Sequence, residues 1–237
     1  VRRKLVVLMA AMLLVGVVAV AQYHYAFYYD ATSGHDLEIN LINPLDIPNQ
    51  LTMTVHDAYG GELWSVSDEL APTQAGYVRV GESLPASNYP WGVVTVDSAY
   101  QLLIGLEYMQ DGELVSIDTI SSEVPVLDPS EPFWLGAYYN QVGDSATGFI
   151  VMNPWSTTAS CSVAVYNSNG GQVYTQDFVL GPFEAEYVPL ESAVGTGNLL
   201  WGLLDVQMQD RSVVLAVEYR GRGCSGLEID NVTEFYY

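Results

Sequence analysis

An internal repeat constrains this chain more than any other feature. Tyr28-Tyr29-Asp30 returns as Tyr138-Tyr139-Asn140, Asn43-Pro44 as Asn153-Pro154, Gly60-Gly61 as Gly170-Gly171, and Trp91-Gly92 as Trp201-Gly202, each pair 110 positions apart. Leu70-x-Pro72 and Tyr77-Val78 recur at the same spacing as Leu180-x-Pro182 and Tyr187-Val188. Stacked solenoid units run to roughly 20 to 50 residues, so this longer period reads as two tandem globular domains. At 237 residues the chain is long enough for two cores.

Within each copy, short segments alternate. Leu37, Ile39 and Leu41 are interleaved with Asp36, Glu38 and Asn40, and Leu51, Met53 and Val55 with Thr52, Thr54 and His56. A period of two means strands with one wet face. Asn43-Pro44, Ile47-Pro48 and Ala71-Pro72 end strands because proline lacks the donor a ladder needs. Tyr59-Gly60-Gly61 reads as a hairpin turn. No long helical stripe occurs beyond the first 22 residues. The expected fold is all-β, with antiparallel β-sandwich repeats over 22–120 and 133–237 joined by a Pro-rich linker over 121–132. Glu107-Tyr108 matches Glu218-Tyr219 at 111, which implies one inserted residue. The architecture resembles immunoglobulin-like or fibronectin-type sandwiches at the level of fold, and that resemblance implies no activity.

Arg2, Arg3 and Lys4 precede an apolar run from Leu5 to Ala21 that ends in Ala19-Val20-Ala21. This is the pattern of a secretory signal cleaved before Gln22, with an uncleaved anchor helix as the rival reading. Either way the expected location is extracellular or at the cell surface. With residues 1–21 removed, Arg79, Arg211, Arg220 and Arg222 are the remaining basic side chains against 28 carboxylates, and the whole chain carries a formal charge of -21. A chain so poor in cations has no basic stripe for phosphates, which excludes nucleic acid as a partner and leaves membrane contact to residues 1–21 alone.

In an exported chain Cys161 and Cys224 are expected to pair as a disulfide, and they have the spacing of bridged strands in the sandwiches the fold resembles. Cys161 takes the place of apolar Leu51 in the repeat, so it is expected to point inward. His24, His35 and His56 are read as surface or turn residues, since the neighbouring Asp36 and Asp57 would face the other way. Glu107 and Glu218 are read as the solvent face of a strand. Asp128, Glu131, Asp205 and Asp210 are hard ligands that calcium could use, yet they form no spaced calcium loop, and no cofactor is expected. No nucleophile elbow, zinc helix or phosphate loop is present, so the chain reads as non-catalytic. Asn231-Val232-Thr233 is a formal glycosylation acceptor.

Aromatics are the main functional lead. Tyr23, Tyr25, Tyr28 and Tyr29 crowd the start, and Phe235, Tyr236 and Tyr237 the end. Consecutive rings on a strand occupy both faces; one set enters the core while the other meets a neighbour, the partner repeat or solvent. Subunit contact through these residues suits a structural surface protein or filament subunit that binds itself or another surface protein. The alternative is a module for carbohydrate or another surface polymer, with Trp155 in a turn as its platform. Trp91 and Trp201, matched between copies, are expected in the cores.

Overall fold

The computed structural model describes residues 23–32, 34–84, 90–120, 123–124, 134–195, 200–208, 211–221, 228–232 and 235–236. The expected signal or anchor and most of the expected linker lie outside them.

The first repeat contributes β1 (Tyr23–Asp30), β2 (His35–Ile42), β3 (Asn49–Asp57), β4 (Glu62–Leu70), β5 (Ala75–Arg79), β6 (Trp91–Ser98), β7 (Leu103–Gln110) and β8 (Glu113–Ile120). The second contributes β9 (Trp134–Asn140), β10 (Ala146–Met152), β11 (Ala159–Asn167), β12 (Gln172–Leu180), β13 (Ala185–Pro189), β14 (Trp201–Met208), β15 (Val214–Arg220), β16 (Glu228–Val232) and a short β17 (Phe235–Tyr236). Both repeats share one topology. The first forms sheets β1-β6-β3-β4 and β5-β2-β7-β8; the second forms β9-β14-β11-β12, with β17 added beyond β9, and β13-β10-β15-β16. All pairings are antiparallel among the described residues. The all-β reading therefore holds, in a form consistent with tandem β-sandwiches. One helical turn follows β5 and β13, α1 (Val80–Ser83) and α2 (Leu190–Val194). Neither is long enough to leave a periodic trace in the sequence.

The repeated motifs have matching physical jobs. Asn43 is buried and its Nδ2 donates to the carbonyls of Ile47, Leu70 and Ala71; Asn153 does the same to Thr157, Leu180 and Gly181. Each Asn-Pro thus clamps a loop whose carbonyls would otherwise be stranded. The Oδ1 of Asp57 accepts from Tyr59 and Gly61 in one hairpin, and that of Asn167 from Asn169 and Gly171 in the other. Side-chain capping of this kind is why short Asx residues precede the Gly-Gly pairs.

The repeats are fused through a shared apolar layer. In β10 and β15 the residues alternate between two cores: Phe149, Val151, Leu215 and Val217 enter the second repeat's own core, while Ile150, Met152, Val214 and Ala216 join the first repeat's. Sheet β13-β10-β15-β16 is thereby covered on both faces. Its outward side meets the outward side of β1 and β6, where Ala26, Tyr28 and Val93 are buried. Burying a side chain such as Ile150 or Met152 contributes about 1.5–3 kcal/mol, so a few such residues suffice to hold the repeats together.

Asn231 of β16 completes this junction. Its Oδ1 accepts from Tyr28 N at 2.8 Å; its Nδ2 donates to Tyr108 Oη at 2.8 Å and to Asp118 Oδ2 at 2.9 Å, and its own N–H donates to Asp118 Oδ2 at 2.7 Å. Tyr108 Oη in turn donates to Tyr28 O at 2.8 Å, closing a ring of bonds. With its amide fully engaged and buried, Asn231 is a structural residue in the folded chain and not an accessible glycan acceptor.

Other expectations change with this packing. Tyr25, Tyr28 and Tyr29 are buried within the chain, against the core and the second repeat, instead of being offered to another molecule; Tyr23 is half-buried. Phe235 and Tyr236 pair by backbone with Leu135 and Trp134, an intrachain addition to the open edge of β9, and Tyr237 lies outside the described residues. Trp91 is half-buried at the junction and Trp201 is exposed, so neither is a core anchor. The expected Cys161–Cys224 disulfide is not formed. Cys161 does point inward, buried among Ala159, Val163, Phe178 and Met208 as a small apolar side chain; Cys224 lies outside the described residues.

Gly60 sits at φ +83, and an added Cβ would stand 2.0 Å from Pro182 O of the second repeat; its counterpart Gly170, at φ +77, has nothing within 4 Å. Both substitutions to alanine incur the left-handed penalty of about 1–2 kcal/mol. Gly60→Ala must also displace the junction, so urea unfolding should show Gly170→Ala losing about 1 kcal/mol and Gly60→Ala at least about 1 kcal/mol more. Equal losses would mean that the junction yields without cost.

Candidate functional site

The junction does not close along its whole length. A cleft of about 660 Å³ remains, lined by His24, Thr95 and Asp97 of β1 and β6, by Thr54, His56 and Glu62 of β3 and β4, by Glu123, and by Trp155 and Phe183 from turns of the second repeat. Sheet alternation explains the first-repeat contribution. His24 pairs with Asp97 across β1 and β6, while Thr54 pairs with Thr95 and His56 with Val93 across β3 and β6. These residues occupy the outward face because Tyr25, Met53 and Val96 take the core face.

Two stacked ring pairs join the repeats at the cleft. The His24 and Trp155 centroids are 4.8 Å apart at 26°, and those of His56 and Phe183 are 4.0 Å apart at 7°. Phe183 holds φ 56 in a turn where Thr73 holds φ 58 in the first repeat. The left-handed turn is thus built into both copies, but only Phe183 uses it to place a ring against the neighbouring repeat. Backbone bonds reinforce the contact: Ala185 N donates to Ala58 O at 3.0 Å, and Phe183 N to Trp155 O at 3.1 Å.

His24 bridges the repeats as well. Its Nδ1 lies 2.8 Å from Asp97 Oδ1 and its Nε2 lies 3.1 Å from Pro154 O. The ring thus reaches an acceptor on each repeat. His35, by contrast, keeps the turn role read from sequence, with Nδ1 2.9 Å from Asp30 Oδ2. Trp155, expected as an exposed platform, is half-buried, and its Nε1 donates to Ser212 O at 2.8 Å. It forms one wall of the cleft. Among the described residues no group of three His, Cys, Asp or Glu side chains could hold a metal ion, and Asp128, Glu131 and Asp210 lie outside them. Glu218, read as solvent-facing, is buried on the junction face and bonds Arg220.

A shallower groove of about 410 Å³ shares Asp97 with the cleft and runs along Gln50, Thr52, Ser67 and Asp68. Thr52 and Ser67 hydroxyls are 2.9 Å apart, and Thr54 and Ser65 hydroxyls 3.1 Å. The outward face of β3 and β4 is thus a ladder of paired hydroxyls leading away from the rings. Sequence reading missed both features, although the Thr alternation in β3 and Ser alternation in β4 were the available signal.

His56 is buried, its Nδ1 has no partner, and burial lowers its pKa below the ordinary 6.5 against the opposing pull of Glu62, the Gly60 backbone and Asp57. The unfolded chain therefore takes up this proton more readily than the folded one. That contribution to stability is intact above about pH 6.5 and is lost as pH falls from there toward the lower folded value. Thermal unfolding between pH 7.5 and 5 should show a shallower loss of stability in His56→Gln than in the parent; parallel curves would contradict the assignment.

No family model matches the sequence, and no curated protein matches it. Among solved structures, the chain is similar to a putative β-galactosidase from Bacteroides fragilis at 10% identity and a TM-score of 0.20, over 90% of this chain and 32% of that one. A glycosyl hydrolase family 2 member from Bacteroides cellulosilyticus DSM 14838 aligns at 9% identity and a TM-score of 0.19, over 88% and 27%. The PBSX exported protein XepA aligns at 10% identity and a TM-score of 0.26, over 84% and 81%. The chain spans about a third or less of the two hydrolases' length, and likenesses at these scores carry no argument about what it does.

Proposed function

We propose that this chain is a non-catalytic, exported protein, with immunoglobulin-like tandem sandwiches, whose junction cleft binds a neutral, hydroxyl-rich polymer such as a cell-surface or extracellular polysaccharide. The observation that carries this reading is the convergence of Trp155 with Glu62, Asp97 and Glu123 on one cleft that continues into the Thr52–Ser67 ladder. Ring faces suit the apolar faces of sugars, while carboxylates and hydroxyls suit their O–H groups. The formal charge of -21 and the carboxylate lining disfavour an anionic ligand. Binding also suits the histidines better than catalysis does, because His24 is held between Asp97 and Pro154 and His56 is stacked beneath Phe183. Residues 1–21 would export the chain or hold it at the membrane, placing the cleft where such polymers are met.

The reading is tested by titrating the full chain with neutral oligosaccharides and soluble neutral polysaccharides, following tryptophan fluorescence and heat. Trp155→Ala should weaken binding at least about tenfold, roughly 1.4 kcal/mol. Trp201→Ala, outside the cleft, should leave it unchanged. Absence of binding across the panel, or equal losses in both variants, would overturn the proposal.

A further inference from the structure

The junction inside the chain has unused counterparts at both of its ends. In the first repeat, Tyr28 and Trp91 form a ring pair with centroids 6.2 Å apart at 52°, and the second repeat covers them. In the second repeat, the matching Tyr138 and Trp201 form the same pair at 6.4 Å and 47°, but here the rings are 51% and 44% exposed. Val93, fully buried at the junction, corresponds to Leu203, which is 48% exposed. Tyr108 Oη donates to Tyr28 O beneath the junction, and Tyr219 Oη donates to Tyr138 O in the second repeat. The receiving surface is therefore built twice and filled once.

The docking surface is also built twice. Met152 and Val214, paired across β10 and β15, are buried against the first repeat. Ile42 and Leu103 pair in the same register across β2 and β7, and they are 39% and 51% exposed. Ile229, opposite Glu218, corresponds to Ile117, opposite Glu107, and Ile117 is 66% exposed. Tyr187 of the junction corresponds to Tyr77, which is 72% exposed. Isolated exposed apolar residues need no explanation, but two matched sets on opposite ends do.

We infer that a second copy of this chain docks its β5-β2-β7-β8 face onto the β9-β14 face of the first, repeating between molecules the contact the two repeats make within one. The contact is heterologous, so each copy keeps one face of each kind free and association continues head to tail. The backbone of β17 takes the edge of β9 at Trp134, as Val124 takes the edge of β1 at His24. Charge sets the conditions. Within the chain, Glu218 is bonded by Arg220, whereas Glu107 has Asn40 beside it and Met109 where the arginine would stand; the receiving face carries Asp205. On the docking face Arg79 is taken up by Glu38 at 2.9 Å and Glu82 at 3.2 Å, which leaves Glu107 without a cation of its own to face Asp205, and association strengthens as salt shortens the Debye length from roughly 10 Å at 0.1 M to roughly 3 Å at 1 M.

Sedimentation of the full chain at 0.1 and 1 M NaCl tests this, with Leu203→Glu blocking the receiving face and Ile117→Glu the docking face. The parent should form dimers and longer species, more so at high salt. Each variant alone should need at least about tenfold higher concentration to associate. An equimolar mixture of the two should give dimers and nothing longer, because only one competent pair of faces remains. Residues 1–22 are common to every sample, and matching thermal unfolding of the variants confirms that they fold. A parent that stays monomeric at high salt, variants that associate like the parent, or a mixture that fails to dimerise would each overturn the inference. The cleft takes no part in this contact, so the outcome is independent of polymer binding.

Discussion

The structure depends on how one strand is enclosed. β1 carries rings on both faces and has an edge that β6 leaves open, so in a lone sandwich it would expose Tyr28 and an unpaired N–H together. Asn231 resolves both at once. Its amide accepts from Tyr28 N and donates to Tyr108 Oη, while Tyr108 Oη donates to Tyr28 O. A buried polar ring of this kind stabilises the fold only when every member is satisfied. Asp118 supplies the remaining acceptor from β8, and Ser116 exchanges bonds with the Ile229 backbone nearby. Placing Asn231 correctly requires the whole of β16, hence the second repeat. The first repeat's aromatic strand is in this sense completed by its neighbour.

Duplication supplied the surfaces, and divergence assigned them. Glu107 and Glu218 occupy one position in the two copies, yet one is half-exposed beside Asn40 and the other buried beside Arg220. Burial of Tyr187 in the same layer raises its pKa to about 12, with Glu218 adding to the effect. A charged side chain on a docking face is tolerable when a cation and a phenol accompany it. Where Met109 replaces the arginine, the same carboxylate discourages contact unless salt screens it. The local sequence difference changes the strength of an interface without changing the fold that presents it.

That distinction marks where sequence reading reached its limit. The strands, their Asn-Pro ends and the Gly-Gly hairpins were legible because each depends on neighbours within a few residues or on a period of two, whereas the clamping by Asn43 and Asn153 was not, since it reaches carbonyls 27 and 28 positions away. Ile150 and Met152 alternate with Phe149 and Val151, so β10 is apolar on both faces and could have signalled double coverage. On β1 and β6 the signal was weaker, since His24, Thr95 and Asp97 make that face read as wet although it is half covered. The cleft was illegible for a related reason: His24 and Trp155 are 131 positions apart and meet only after two sheets have stacked. The disulfide expectation failed because inward direction was read correctly for Cys161, but an inward position in this core is an apolar slot, as Leu51 shows in the other copy.

The cleft follows from the same geometry that closes the junction. Two twisted sheets cannot stay in contact across their full width, and where they diverge the gap must be propped or filled. Here Trp155 and Phe183 prop it from loops of the second repeat, each stacked on a histidine of the first. Loops clamped by Asn153 and fixed by a left-handed turn lose little freedom when a ligand arrives, so the walls are formed in advance. A ligand seated there touches both repeats and so stabilises their mutual packing by its own binding energy. A ligand bound at the cleft as proposed would therefore be coupled to the integrity of the junction, through the rings stacked on the two histidines.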